Sequence, residues 1–283
     1  VTAIWRHRLI SAAQLARDYA YSLARLPAYR HAFDHVRAFC LFVGYPRSGH
    51  TLVGSLLDAH RHAVIGLELD VLRYVRFGFN RAQIFLLLAE NAQQQAKRGR
   101  QWTGYSYHVP NQWQGRAEQI RVIGDKRGGE TSRRLARDFG LLARLRRAVG
   151  LPLKVVHVVR DPYDNIATMC LRGDAPDLDH AIDAYFRMAD TVECVQQHLG
   201  SSGFISIHHE DIVARPVEEL SRLCDFVGLR ADNNYLKDCA SIIFKSPNRS
   251  RAKVGWTTAQ RTRVAQQCLL RQWLARYADW SGE

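Results

Sequence analysis

The sequence predicts an α/β fold, a central parallel sheet flanked by helices. Short apolar runs without alternation, residues 39–43 and 155–159, suit parallel strands covered on both faces. Long stretches of helical period separate such runs, as βαβ units require. A glycine-bearing turn, residues 44–51, follows the first run and precedes a helical pattern, and ligands of open α/β sheets gather beyond the strands' carboxyl ends.

The elements follow in chain order. Residues 4–26 read as an amphipathic helix ending at Pro27, so 1–38 is a helical extension before the first strand. After the turn come helical patterns at 51–59 and 81–97, then residues 98–115, rich in Gln, Tyr, Trp and Gly, with neither period. That stretch reads as a loop-like insertion able to cover a substrate. Strands are expected at 120–123, 155–159 and 204–207, with helices at 130–149, 181–199, 216–227 and 258–277. With no low-complexity tract or internal repeat in its 283 residues, the chain is expected to form one domain.

A formal charge of +13 favours anions near the surface without choosing among nucleic acid, membrane and a small phosphorylated ligand. Residues 116–147 hold ten Lys/Arg against four Asp/Glu, and residues 244–278 hold no acid. Six scattered cysteines form no CxxC pair, which fits neither zinc-ligand spacing nor a disulfide scaffold, so no metal is expected. They favour the cytoplasm, with the secretory lumen as the alternative if an N-terminal leader or anchor has been trimmed from a chain that starts without methionine. Apolar runs such as 84–89 are too short to span a bilayer. A homo-oligomer is compatible with all of this.

Gly44 and Gly49 frame GxxxxG-His-Thr, close to GxxxxGK[ST], which points to a P-loop-containing nucleotide-binding type of fold. Between strand and helix, such a turn aims backbone N–H groups and a helix N-terminus at one anion. Arg47 adds a multi-donor cation, and Ser48 and Thr51 add hydroxyls. His50 stands where a P-loop has lysine. It is shorter and mostly neutral at pH 7, which argues against ordinary nucleotide hydrolysis.

The chain resembles the PAPS-dependent sulfotransferase family, whose sulfuryl donor is 3'-phosphoadenosine 5'-phosphosulfate. Residues 45–51, Tyr-Pro-Arg-Ser-Gly-His-Thr, look like that family's 5'-phosphosulfate loop. Residues 159–168 are similar to its strand-loop-helix segment for the donor's 3'-phosphate, which implies that role for Arg160 and Thr168. Residues 210–229 resemble a segment of the family's C-terminal part. Residues 249–256 are like the basic loop that closes over the nucleotide, with Arg249, Arg251 and Lys253 as alternative phosphate contacts. The resemblance implies donor binding by Arg47, Ser48, Gly49, His50 and Thr51, release of 3'-phosphoadenosine 5'-phosphate (PAP), and no metal.

Sulfuryl transfer needs positioning, cationic stabilisation and a base for a hydroxyl acceptor. Glu68 resembles the base of protein-tyrosine sulfotransferases, but Asp70 stands where they have arginine, which argues against a tyrosine peptide as acceptor. Lys126 is similar to the lysine that the family sets near the bridging oxygen, where its charge would stabilise the leaving group. His60, His62, His108, His157, His208 and His209 are further candidates, with His157 placed in the core by its strand. Trp102, Tyr105, Tyr107, His108 and Trp113 are candidates to line a pocket for a small-molecule, sugar or peptide hydroxyl. Two other classes stay open: a P-loop NTPase or kinase, with Asp125 or Asp161 as magnesium ligand, and a basic protein that binds anionic polymers without catalysis. No nucleic-acid recognition motif supports the latter.

Overall fold

The computed structural model describes residues 12–102, 104–244 and 249–280. The predicted helix from Ile4 therefore starts outside the described residues, and its described part is α1 (Ala12–Arg25). The chain continues through β1 (Ala38–Gly44), α2 (His50–Asp58), β2 (Ala63–Leu67), α3 (Val71–Arg76) and α4 (Arg81–Lys97). A small ribbon follows, β3 (Gln101–Trp102) against β4 (Tyr105–Ser106). Then come β5 (Val122–Lys126), α5 (Gly128–Arg137), α6 (Gly140–Val149), β6 (Leu153–Val159), α7 (Pro162–Leu171) and α8 (Leu178–Gly203). The described chain ends with β7 (Phe204–His208), α9 (His209–Ala214), α10 (Pro216–Val227), α11 (Asn233–Ser241) and α12 (Thr258–Leu269).

Among the described residues, one five-stranded sheet forms in the order β2-β5-β1-β6-β7, with all pairings parallel. This is the expected α/β architecture. Every residue of β1 is buried. Phe39, Leu41 and Val43 join one apolar cluster with α4, α5 and α8, while Ala38, Cys40 and Phe42 join the other with α2, α10 and α11. A strand that feeds two cores has no polar face, which is why its sequence does not alternate.

Several expected boundaries move. The strand foreseen at 120–123 is β5, which starts two residues later and ends three later, so Ile120 and Arg121 precede it and Gly124, Asp125 and Lys126 lie within the sheet. Gly124 is required there: a Cβ would be driven into the Cys40 carbonyl on β1, its register partner. Strand β2 has no counterpart in the expected elements. The helix foreseen at 130–149 is two, broken around Asp138, where an aspartate and Gly140 are poor helix-interior residues. The last helix ends at Leu269, with a 3-10 turn at Ala275–Tyr277. All six cysteines are free. No helix among the described residues is long and apolar enough to cross a membrane.

The insertion at 98–115 is tied down at both ends by one carboxylate. Buried Asp58 at the end of α2 pairs with buried Arg100 and accepts from the Gly115 N–H at 2.7 Å and the Ile65 N–H at 2.6 Å. Four separate segments meet on it. Asp58→Ala is expected to destabilise the fold by roughly 3–5 kcal/mol in urea unfolding, because Arg100 would stay buried without a counter-charge. Arg61→Ala, which removes an exposed pair with Glu118, is expected to cost about 0–1 kcal/mol.

Candidate active site

The carboxyl ends of the parallel strands open on a common cavity of about 420 Å³. That lies inside the range of roughly 300–1,000 Å³ typical of small-ligand sites. From β1 comes the turn, with positive φ at Gly44, Arg47 and Gly49. Gly49 is required, since a Cβ there would run into the His209 imidazole. The turn is held from outside itself: Gly44 N–H donates to Ser132 Oγ at 2.9 Å, Asn165 Nδ2 donates to the Pro46 carbonyl at 2.7 Å, and Arg160 reaches the Arg47 carbonyl at 3.5 Å. Its shape is therefore set before any ligand arrives.

Strand β2 delivers Glu68 in a left-handed conformation, φ 59°, followed by Asp70 at φ 74°. Such values are uncommon for residues with a side chain and persist where surroundings over-determine them. Here Glu68 N–H donates to the Lys126 carbonyl at 3.0 Å, Arg127 donates to the Glu68 carbonyl at 3.0 Å, and Arg134 Nε holds Asp70 at 2.6 Å. Asp125 accepts from the Leu69 and Val71 N–H groups at 3.1 and 2.8 Å. Burial pushes Asp125 up to about 6, against the pull of the Val71 N–H.

Strand β5 ends in Lys126, which is buried and is not beyond the strand as expected. Its Nζ donates to Glu68 Oε1 at 2.6 Å and Thr51 Oγ1 at 3.0 Å. Burial lowers the ammonium below the ordinary lysine value, with Glu68 pulling the other way. The Glu68 carboxyl experiences burial, which raises it, but Lys126, His50 and Arg127 together bring it below the usual range. His50 Nε2 lies 3.9 Å from Glu68 Oε1, and burial followed by Lys126 lowers this histidine to about 3. It is neutral across the physiological range.

Strand β6 leads to Arg160 and to α7, whose start is written locally. Pro162 is at its first turn, and the Asp161 side chain caps the Tyr163 and Asp164 N–H groups. The Thr168 hydroxyl donates to the Asp164 carbonyl at 2.7 Å and lies 2.8 Å from Ser250 Oγ. Arg47, Gly49, His50, Thr51, Glu68, Arg160 and Thr168 all line the cavity, and Ser48 and Lys126 lie buried against it. Arg251 does not line it. Its guanidinium pairs with Asp161 and with Asp164, the latter at 2.9 Å, and its N–H donates to Asp164 at 2.8 Å. Arg249 and Lys253 are exposed.

Tyr105 and Tyr107 line the cavity, as expected, whereas His108 and Trp113 do not, and the Trp102 side chain lies outside those described. His157 is fully buried in the sheet. Sequence reasoning missed Ser250, Arg172, Asp174 and Phe244, all on the cavity wall. Asp174 holds Arg47 Nε at 2.9 Å, and Phe244 meets Tyr105 edge to face at 6.0 Å. Only Ser250 had a signal, since it stands inside the basic motif whose arginines drew attention. Among the described residues no cluster of metal-ligating side chains occurs.

The balance at Glu68 is testable by carboxyl-carbon NMR titration. Wild-type Glu68 should titrate below its ordinary value of 4.5, and Lys126→Met should move it upward, because burial then acts with less opposition. For a carboxyl lowered by folding, the associated stability is present at neutral pH and is lost as pH falls through the folded value, so Lys126→Met should also flatten acid destabilisation.

No curated protein sequence matches the chain. Solved structures similar to it include the sulfotransferase domain of the Synechococcus PCC 7002 olefin synthase, at 20% identity and TM-score 0.46, over 80% of this chain and 84% of that one. Mouse sulfotransferase SULT7A1 complexed with PAP is 14% identical with TM-score 0.45, over 92% and 93%. Sulfotransferase STF9 from Mycobacterium avium is 13% identical with TM-score 0.50, over 92% and 85%, a likeness that bears on the fold alone. A profile of the sulfotransferase family matches residues 41–233, which span the five-stranded sheet from within β1 and include the turn, Glu68, Lys126, Arg160 and Thr168. By that match the chain belongs to the sulfotransferase family, and its reaction is transfer of a sulfuryl group from PAPS.

Proposed function

We propose that the cavity holds PAPS between two anion grips and delivers its sulfuryl group to a hydroxyl acceptor beside Glu68. The observation that carries this reading is the placement of the two grips on one cavity wall, tied to each other through Arg160 and the Arg47 carbonyl. The turn is read as a P-loop-type cradle, in which the N–H groups around Ser48, Gly49, His50 and Thr51, with Arg47, take the phosphosulfate. Arg160, Thr168 and Ser250 take the 3'-phosphate. Leu52, Ile242 and Phe244 give the same cavity an apolar margin suited to a purine. Arg249 and Lys253 remain as outer cations, while Arg251 serves as the strut that fixes Ser250 against α7.

Charge changes in this reaction at the oxygen joining sulfur to the 5'-phosphate and at the acceptor hydroxyl. Lys126 and Arg47 are the cations placed for the first, where fixed charges act without reorganisation. Glu68 supplies negative charge at the second and favours loss of the hydroxyl proton. Its low titration keeps it ionised at neutral pH. The residues of the site fit the donor's two anionic ends, and a magnesium-dependent phosphoryl transfer would lack the lysine that His50 replaces.

PAP at saturation is expected to raise the melting temperature in a thermal-shift assay, since it binds the native state alone. No shift of a folded sample would sink the assignment of the cavity. Arg160→Ala should weaken PAP by about tenfold to a hundredfold, the loss of a charge-assisted contact of roughly 1.5–3 kcal/mol. Glu68→Gln should instead leave PAP affinity nearly intact and lower kcat by about 10²–10⁴ in labelled-PAPS turnover against phenol, sugar, steroid and peptide hydroxyls. Equal losses of donor affinity in both variants would overturn the division of roles.

A further inference from the structure

The family profile stops at residue 233, yet residues 273–280 pack behind both anion grips. Trp273 Nε1 donates to the Tyr45 hydroxyl at 3.4 Å, at the start of the turn. Trp280 meets Tyr163 of α7 edge to face at 4.7 Å and lies under the Arg251 guanidinium. Between these two contacts the 3-10 turn Ala275–Tyr277 sets the buried Tyr277 side chain against β7 and α9. Its hydroxyl donates to Glu210 Oε2 at 2.6 Å, and the other oxygen, Oε1, accepts from the Asp161 N–H at 2.9 Å. A phenol has one proton to give, so toward His208 Nδ1, 3.0 Å away, Tyr277 accepts, and that nitrogen carries the ring proton. Burial, followed by the Glu210 charge, pushes the phenol well above its ordinary value, so the proton stays on Tyr277. The Glu210 carboxylate is thereby fixed at both of its oxygens.

What this carboxylate holds is the peptide that follows Arg160. The ladder between β6 and β7 ends with Val159 beside His208, and the chain after β7 turns away into α9. The Asp161 N–H, one step beyond, finds its acceptor in the Glu210 side chain in place of a strand carbonyl. Arg160 stands between the last ladder pair and this bond, buried, with its guanidinium reaching the Arg47 carbonyl at 3.5 Å. A side chain whose backbone is fixed on both sides presents its charge at one place, and contacts to an anion are lost steeply when that place shifts.

We propose that Tyr277 is a positioning residue for the donor: through Glu210 and the Asp161 N–H, its hydroxyl holds Arg160 where the 3'-phosphate binds. This rests on the assignment of the cavity to PAPS. Tyr277 faces away from the reacting atoms, so it acts on donor affinity and on the choice of a 3'-phosphorylated nucleotide over one without that group, and leaves the transfer step alone.

Equilibrium binding of PAP and of 5'-AMP, which lacks the 3'-phosphate, tests this in Tyr277→Phe, where only the hydroxyl is removed. The preference for PAP over 5'-AMP should fall about threefold or more, the scale of one hydrogen bond, because PAP weakens while 5'-AMP does not. A merely loosened fold would weaken both nucleotides alike. With labelled PAPS and the acceptor that turns over in the panel above, KM for PAPS should rise by the same factor while kcat stays within about twofold of wild type. If Tyr277 acts through Glu210, the double variant with Glu210→Ala should lose no more PAP affinity than Glu210→Ala alone. A fall in preference smaller than about threefold, a loss confined to kcat, or additive losses in the double variant would each overturn the proposal. Where Glu210→Ala does not fold, the nucleotide preference of Tyr277→Phe decides alone. A wild-type protein with no PAP thermal shift, or with no preference for PAP over 5'-AMP, would instead sink the cavity assignment beneath it.

Discussion

Parallel register between neighbouring strands decides where each charged group of the site emerges. Leu67 of β2 stands beside Lys126 of β5, Gly44 of β1 beside Val158 of β6, and Val159 beside His208 of β7. The residues at or one step past these pairs, Glu68, Lys126, Tyr45, Arg160 and His209, accordingly come out along one edge. That edge is also where the dry interior ends. Lys126 is buried, with its methylenes beside Gly54 of α2. Taking such a charge out of water is unfavourable unless a partner is near, and Glu68 is that partner. Moving either strand by one residue would turn one of the two charges into the apolar core.

This geometry gives each member of the Glu68, His50 and Lys126 group a different task by environment alone. The lysine is shielded from water, the carboxylate is ionised by its neighbours, and the histidine is kept neutral by burial and the nearby ammonium. Three groups that titrate at separate values in water are placed so that their charges are set by each other.

The parts legible in the sequence were those whose cause is local. Residues 39–43 and 155–159 read as strands because a doubly covered strand cannot carry a polar face, and α10 was bounded correctly because Pro216 and Gly228 mark its ends. The turn was legible because only glycine takes the φ values found at Gly44 and Gly49 without strain. What escaped depends on contacts distant in sequence. Strand β2 is only five residues long and follows a histidine-rich turn, and its pairing with β5 is what makes it a strand. Arg251 looked like an anion ligand because a basic motif does not say which way a side chain points. Its actual partners, Asp161 and Asp164, lie 90 and 87 residues away.

Asp58 gives the segment between Arg100 and Gly115 a common root, with its entry and exit fastened to a single carboxylate. Between those ends Val109 is buried in the apolar cluster that holds Phe42 and Ile65, so the later half of the segment is packed on the core. The β3–β4 ribbon, whose Tyr105 lines the cavity and meets Phe244, is not paired with the five-stranded sheet, so a change in the ribbon leaves the register of that sheet untouched. Doubling such a loop adds only about 0.6 kcal/mol of closure entropy. The rim that Tyr105 adds to the cavity is therefore the part most open to replacement by another loop, as an exchangeable cover over a sheet edge that stays the same.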